Sequence, residues 1–404
     1  MAKTRLKPRT AQELGIMRGF PPPPEKRPDL TNWDLAPFNR WSFMNIRNLF
    51  PTVDVKADRV GARELPAAHQ DLSALEFFDH AGRRVTLAEY LDGSYTDGFL
   101  VLHRGRIICE NYFNSMQPDT PHLSQSVAKS LIGALAGILH ERGLVDEDAP
   151  LVSYVPELAR CGYKDAKLSH ALNMTSGIRF VEDYNMPDSD MTRIDIASGW
   201  RPPRGQEAQP TIRDIILTLP KVRRHGKVFA YKSVETDVVA WVLERAANRS
   251  LADMVSELIW KKIGAEHDAF FTVDRAATAL ADGGFNATLR DYARFGLMMQ
   301  NSGMVGDTEV VPRRWVDACA SGDRSVYGPP AADICPDGAY SNFWWDNNIE
   351  SGDFMARGVF GQMIYVNREA SVTIVKLSTW PDYVITDFTR DSLAAFAAIL
   401  EYLR

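Results

Sequence analysis

A chain of 404 residues with 45% hydrophobic and 24% charged content has the composition of an ordinary globular protein, long enough for one large mixed domain or two smaller ones. Its net charge of −6 comes without an acidic tail or a long basic block, which argues against nucleic acid or anionic membrane as main partner and for a small-molecule substrate. The basic start is followed by no apolar run of signal-peptide or membrane-span length, so the expected location is the cytoplasm. The four scattered cysteines, without C-x-x-C spacing, suggest neither a disulfide framework nor a zinc site.

Residues 1–70 read as an extended arm packing on the body. They hold the polyproline run Phe20-Pro-Pro-Pro-Pro24 and the cluster Asn39-Arg40-Trp41-Ser42-Phe43, and the aromatics Trp33, Phe38, Trp41 and Phe43 need apolar surface to cover them. Gly98 to His103 and Arg106 to Phe113, around Arg104-Gly105, predict a β-hairpin in which Cys109 is a buried small residue. An apolar helix follows, with Val127, Leu131, Ala134, Leu135, Ile138 and Leu139 at helical spacing and Gly143 at its stop. Few polar residues follow Ser130, so this helix should be central and buried.

The pattern then turns mostly helical: Leu168 to Met174, Thr211 to Leu219, Thr236 to Ala247, Leu251 to Ile263 and Leu289 to Met299. Val359 to Val366 and Val372 to Leu377 predict a second hairpin, and Ser392 to Leu403 a closing amphipathic helix. Strands at both ends imply an α/β (α+β) fold: an antiparallel sheet built from both termini and flanked by helices, plus a mostly helical second region. The expected division is an α/β region at about 71–125 and 290–404 and a helical region at about 126–289, with the active site in the cleft between them.

Ser126-Val-Ala-Lys129 puts a hydroxyl and an amine one turn apart at the start of the apolar helix, on one face. It is the chain's only Ser-x-x-Lys, where chance alone supplies ~1 to 2. A serine hydroxyl needs a neighbouring base, and a lysine in an apolar, positively biased pocket can lose its proton near neutrality. Tyr231-Lys232-Ser233 is the second element, because a tyrosine beside such a pair can pass a proton from nucleophile to leaving group. Tyr-x-Ser/Asn also occurs at Tyr112, Tyr340 and Tyr365, and the loop position of Tyr231 favours it. His170 lies on an apolar helix face and reads as a packed histidine. The chain has no Gly-x-Ser-x-Gly, His-Glu-x-x-His or P-loop, and the reading needs no metal or cofactor.

Ser126-x-x-Lys129, Leu168-Ser-His-Ala-Leu-Asn-Met-Thr-Ser-Gly177, Tyr231-x-Ser233 and Gly283-Gly-Phe-Asn-Ala-Thr-Leu-Arg-Asp-Tyr-Ala-Arg-Phe-Gly296 occur in the order seen in the serine β-lactamase-like hydrolases, which the chain resembles from about residue 31 onward. Within that group it looks most like the 6-aminohexanoate-dimer hydrolases that cleave nylon oligomers. Asn39-Arg40-Trp41, Glu182-Asp183-Tyr184, Ser198-Gly199-Trp200, Trp344-Trp345 and Val375-Lys-Leu-Ser-Thr-Trp-Pro381 point there. The resemblance implies a β-lactamase/DD-peptidase-like fold, with Ser126 as acylated nucleophile, Lys129 as proton acceptor and Tyr231 as the relay to the leaving group. The oxyanion hole would be the backbone N–H groups of Ser126 and Val359.

The strand Ala356-Arg357-Gly358 departs from the Lys-Thr-Gly or His-x-Gly of β-lactamases and transpeptidases, and Phe360-Gly361-Gln362 departs from the His-Gly-Gln of the nylon-oligomer enzymes. Efficient β-lactam hydrolysis is therefore not expected. Arg357 offers a charge, but strand alternation aims it away from Gly358 and Phe360. Candidate substrate-binding residues are Tyr184, Asp195, Ser233, Asp282, Trp345 and Gln362. Asp195 or Asp282 would pair with a substrate ammonium, or else cap a helix or turn. Tyr184, in a flexible loop, would reach the scissile amide, and Trp345 would wall the pocket or serve the core. The expected activity is hydrolysis of short linear amides or carboxylic esters. The alternatives are a β-lactamase or D-amino-acid peptidase on the same scaffold and a non-catalytic binding protein; a homodimer is the prior for a soluble enzyme.

Overall fold

Thr96–His103 carries the apolar run Phe99-Leu-Val-Leu102 and is buried along nearly its whole length, as a central strand covered on both faces must be. The computed structural model describes residues 7–58, 60–205, 209–347 and 352–404. Its main strands, in chain order, are β1 Thr52–Val55, β2 Thr96–His103, β3 Arg106–Tyr112, β4 His122–Leu123, β5 Ala269–Thr272, β6 Phe285–Ala287, β7 Ala339–Ser341, β8 Trp344–Asp346, β9 Asp353–Gly358, β10 Gln362–Asn367 and β11 Val372–Ser378. The longest helices are α1 Val127–Glu141, α2 Val234–Ala247, α3 Leu289–Gln300 and α4 Thr386–Leu403.

A seven-stranded antiparallel sheet runs β7-β8-β9-β10-β11-β2-β3. The N-terminal hairpin joins the C-terminal one through Ile374↔Val101 and Val375↔Leu100, so the sheet is built from both ends of the chain. The fold is thus mixed α/β with antiparallel sheets and helices. Helix α1 is buried from Val127 to Leu139. Gly133 lets it press on the turn between β7 and β8, since a Cβ there would lie 2.1 Å from the Asn342 carbonyl oxygen.

Three expectations need correction. The mostly helical region also carries two short strands: β5 and β6 join β4 in a second sheet in the order β1-β5-β6-β4, and the arm supplies its edge strand through Val53↔Phe271. Ala269–Thr272 and Phe285–Ala287 are short and buried at every position, so they show no two-residue alternation to read. The strand expected from Val359 starts only at Gln362, because Val359–Gly361 is a tight turn with Phe360 at φ +61°. The last helix begins at Thr386, six positions before the apolar stripe at Ser392 suggested.

In the arm, Trp33 and Phe43 are buried. Trp33 meets Trp200 edge-on at 5.0 Å, and Phe43 meets Phe360 at 5.1 Å. Residues 1–6 of the arm lie outside the described residues. Among the described residues no helix is long and apolar enough to cross a membrane.

Candidate active site

Strand β4 delivers the chain to Ser126 through Gln125, a non-glycine residue at φ +47°, a backbone conformation that surrounding structure must hold in place. Ser126 then stands at the N-terminus of α1, one turn below Lys129. The buried Lys129 Nζ donates to Ser126 Oγ at 3.0 Å and to the Asp282 carbonyl oxygen at 2.6 Å. Tyr231 sits in the loop before α2, with its ring centroid 5.4 Å from the Lys129 amine. The Ser126 N–H has no protein acceptor among the described residues, and β9 ends against it at Gly358. Val359 follows on the cleft wall. Serine, amine, phenol and a free N–H therefore converge at one point, the inventory an acyl transfer needs.

The electrostatics overturn one expectation. The pocket around Lys129 is not positively biased. Burial alone would lower the amine, but Tyr231, Asp282, Glu182 and Asp237 together carry it above the usual lysine value, so the resting group is an ammonium. Tyr231 is also raised, by burial first, with Lys129 opposing and Glu182 adding; hydrogen bonds to Ser126 and Lys129 pull the other way.

A cavity of about 540 Å³ opens over Ser126, walled by Tyr184, Tyr231, Trp345, Val359, Trp380 and Tyr383, with Glu182 at its edge. Trp345 stacks on Tyr231 at 5.5 Å and 22°, and so backs the phenol as well as walling the pocket. Arg357 lines the same cavity, its guanidinium 4.8 Å from the Trp345 ring centre. That corrects the alternation argument: Gly358 offers only backbone to the cleft, and Phe360 belongs to the left-handed turn, so neither marks the side that Arg357 avoids.

Four of the six substrate-binding candidates do not line the cavity. Gln362 is fully buried, and its amide clamps β11, donating to the Ser378 carbonyl at 2.6 Å and accepting from the Ser378 N–H at 3.0 Å. Ser233 donates from both N–H and hydroxyl to Glu182, at 2.7 and 2.6 Å. Burial pushes the Asp195 carboxyl well above the carboxylate range, only partly opposed by Arg201, which disfavours the charged form that an ammonium partner needs. Asp282 is likewise raised by burial against Lys129; its backbone carbonyl accepts the Lys129 hydrogen bond, and its carboxyl acts on that amine only through charge. Tyr184 does face the cavity and donates to Glu182 at 2.7 Å. Its loop is pinned: Asp183 Oδ1 accepts from the N–H groups of Asn185 and Met186.

Glu182 is the residue missed as a site group. It gathers Tyr184 and Ser233 and biases Lys129 and Tyr231. The signal in the chain is the Glu182-Asp183-Tyr184 run, in which the carboxylate two positions before Tyr184 reaches the same site.

The family model for Beta-lactamase matches residues 85–398 of the chain. A 6-aminohexanoate-dimer hydrolase of Paenarthrobacter ureafaciens is 34% identical over 357 residues, covering 88% of this chain and 89% of that protein. Among solved structures, "Putative 6-aminohexanoate-dimer hydrolase from Bacillus anthracis" matches with a TM-score of 0.85 at 28% identity, over 93% of this chain and 97% of that one. EstCE1, described as a hydrolase with promiscuous acyltransferase activity, matches with a TM-score of 0.61 at 14% identity over 76% of this chain and 95% of its own, a likeness of fold alone.

Proposed function

This chain belongs to the Beta-lactamase family, and we propose that it is a serine hydrolase that cleaves short linear amides or carboxylic esters through an acyl-enzyme on Ser126, with 6-aminohexanoate-dimer-like substrates favoured. The observation that carries this reading is the 3.0 Å contact from Lys129 Nζ to Ser126 Oγ at the floor of a cavity walled by Tyr231. The named activity of the Paenarthrobacter relative supplies the substrate class.

In the reactive form Lys129 is the neutral amine. Ser126 Oγ bonds to the substrate carbonyl carbon as its proton passes to Lys129, and the carbonyl electron pair moves onto oxygen. The N–H groups of Ser126 and Val359 receive that oxyanion. Tyr231 then gives its proton to the leaving amine or alcohol as the C–N or C–O bond breaks, and takes a replacement from Lys129. Water attacks the acyl-enzyme by the reverse path, its proton passing through Tyr231 and Lys129, and the acid leaves with Ser126 restored.

A second reading, β-lactamase or D-amino-acid peptidase, draws support from Arg357, a cation on the cavity wall suited to a substrate carboxylate. Nitrocefin turnover comparable with that of a linear amide would favour it. The primary test is Ser126→Ala. The variant should keep its melting temperature, lose hydrolysis of a p-nitrophenyl ester and of the 6-aminohexanoate dimer, and fail to react with a fluorophosphonate that labels the wild type. Retained turnover would sink the acyl-enzyme, and a wild type that neither labels nor turns over is a binding protein.

A further inference from the structure

The arm does more at the cleft than bury its aromatics. Asp34 is buried, and its two carboxylate oxygens accept a bidentate pair of bonds from Arg201, at 2.8 and 2.5 Å. Tyr383 closes a triangle with them: its hydroxyl donates to Asp34 Oδ2 at 2.7 Å and accepts from Arg201 at 2.8 Å. Each corner is held by the other two. A bidentate pair with its carboxylate buried keeps that geometry because loss of the guanidinium leaves a buried charge unmatched.

Tyr383 is a wall of the cavity, and its ring stacks on Tyr184 at 4.9 Å and 12°. Tyr184 donates to Glu182, which also biases Lys129. Further along the arm, Asn39 donates to the Trp380 carbonyl at 2.8 Å and Arg40 to Thr379 Oγ1 at 2.6 Å, so the segment that carries Trp380 and Tyr383 is held at both ends by arm side chains. Arg40 is itself anchored on buried Asp97 at 2.8 Å. None of these contacts reaches Ser126 directly. They fix the wall on which the remote part of a bound chain would rest.

We propose that Asp34 is a positioning residue of the cleft: through Arg201 it sets the Tyr383–Tyr184 stack, and the arm thereby determines how tightly an extended linear substrate is held, while the chemistry at Ser126 stays independent of it. This rests on the function proposed above. A short ester that fills only the space around Ser126 should ignore the stack, whereas a linear amide dimer that spans the cavity should not.

The experiment uses full-length Asp34→Asn and Arg201→Lys, with steady-state kinetics on the 6-aminohexanoate dimer and on p-nitrophenyl acetate. The expected result is a KM for the dimer raised about tenfold, with kcat on the dimer and kcat/KM on the acetate within about twofold of wild type, the size of loss that a small misplacement of a substrate wall produces. Asp34→Asn leaves the part-buried Arg201 guanidinium unmatched and is the variant at risk of misfolding; Arg201→Lys keeps the charge but loses the fork, and carries the test if the first fails to fold. An unchanged KM for the dimer, or parallel losses on both substrates, overturns the proposal. Absence of Ser126-dependent acetate turnover in the wild type instead overturns the function itself, and this inference with it.

Discussion

A β carbon on Gly358 would lie 3.0 Å from the Ser126 backbone nitrogen and 2.7 Å from the Ser124 carbonyl oxygen, so the end of β9 and the start of α1 meet at a separation that only glycine permits. Gly358 itself has φ −128° and ψ 152°, an extended conformation open to any residue. The need for glycine is therefore contact, not backbone strain. Gly358→Ala should force the strand end away from Ser126, costing about 1–3 kcal/mol of stability by overpacking. It should lower kcat/KM about a hundredfold, because the reacting groups lose their alignment. Wild-type turnover with a normal melting temperature would show that the close approach is not used.

The charge around Lys129 gives the pH dependence its sign. The amine is held above the ordinary lysine value by Tyr231, Asp282, Glu182 and Asp237, which outweigh burial, and in the proposed mechanism only the neutral amine can accept the Ser126 proton. The fraction of reactive enzyme therefore increases as protons are withdrawn. The prediction is that kcat/KM climbs from neutral into alkaline pH without levelling off near 7. Glu182→Gln removes one negative charge, lowers Lys129 and should move that limb about one unit toward acid. The lysine–tyrosine pair titrates as a unit, so the profile reports the pair and not either residue alone. A limb that stays in place in Glu182→Gln would contradict the electrostatic account.

Two histidines near the Tyr231 loop make the fold acid-sensitive. His170 and His225 stack at 5.6 Å, and each accepts a backbone N–H at Nδ1, from Lys167 at 3.0 Å and from Gly177 at 2.8 Å. Both are lowered from 6.5: His170 by burial, then by His225 and Lys167, and His225 by burial, then by Lys221, with Asp165 opposing in both. A depressed folded-state pKa means that the unfolded chain binds more protons. The stability these rings contribute is thus full above about 6.5 and is lost as pH falls through the lower folded values. Melting temperature should drop between pH 7 and pH 5, and His225→Gln, which cannot titrate, should flatten that slope.

Gln362 tests a purely structural assignment. Its amide satisfies both the N–H and the carbonyl of Ser378 inside the sheet. Gln362→Leu leaves both groups buried and unpaired, which should cost about 2–4 kcal/mol in a chemical denaturation experiment. The KM of the surviving folded enzyme for a linear amide should stay within about twofold of wild type. A changed KM at unchanged stability would return Gln362 to the substrate site.

What could be read in the sequence was set by short-range geometry. The contact between Ser126 and Lys129 follows from three-residue spacing on a helix, and the burial of α1 follows from its apolar periodicity. The paired hairpins were readable because their apolar runs were long and bounded by turns. The second sheet was not, since strands of three or four buried residues carry no period. Nor was the turn at Phe360, whose left-handed backbone ends the strand pattern early.

The charges of the site could be read only from the tertiary structure, for a physical reason. Whether Lys129 carries a proton depends on Tyr231, Asp282, Glu182 and Asp237, which lie 53 to 153 positions away along the chain and next to it in space. The pairing of Ser126 with Lys129 is legible in the chain because three-residue spacing puts both on one helix face, whereas Tyr231, far along the chain, stands out only by its loop position and by the resemblance. Burial and long-range packing decided that the Asp195 carboxyl is pushed upward, that Arg357 faces the cleft, and that Asp34 of the arm bonds Tyr383 where it stacks on Tyr184.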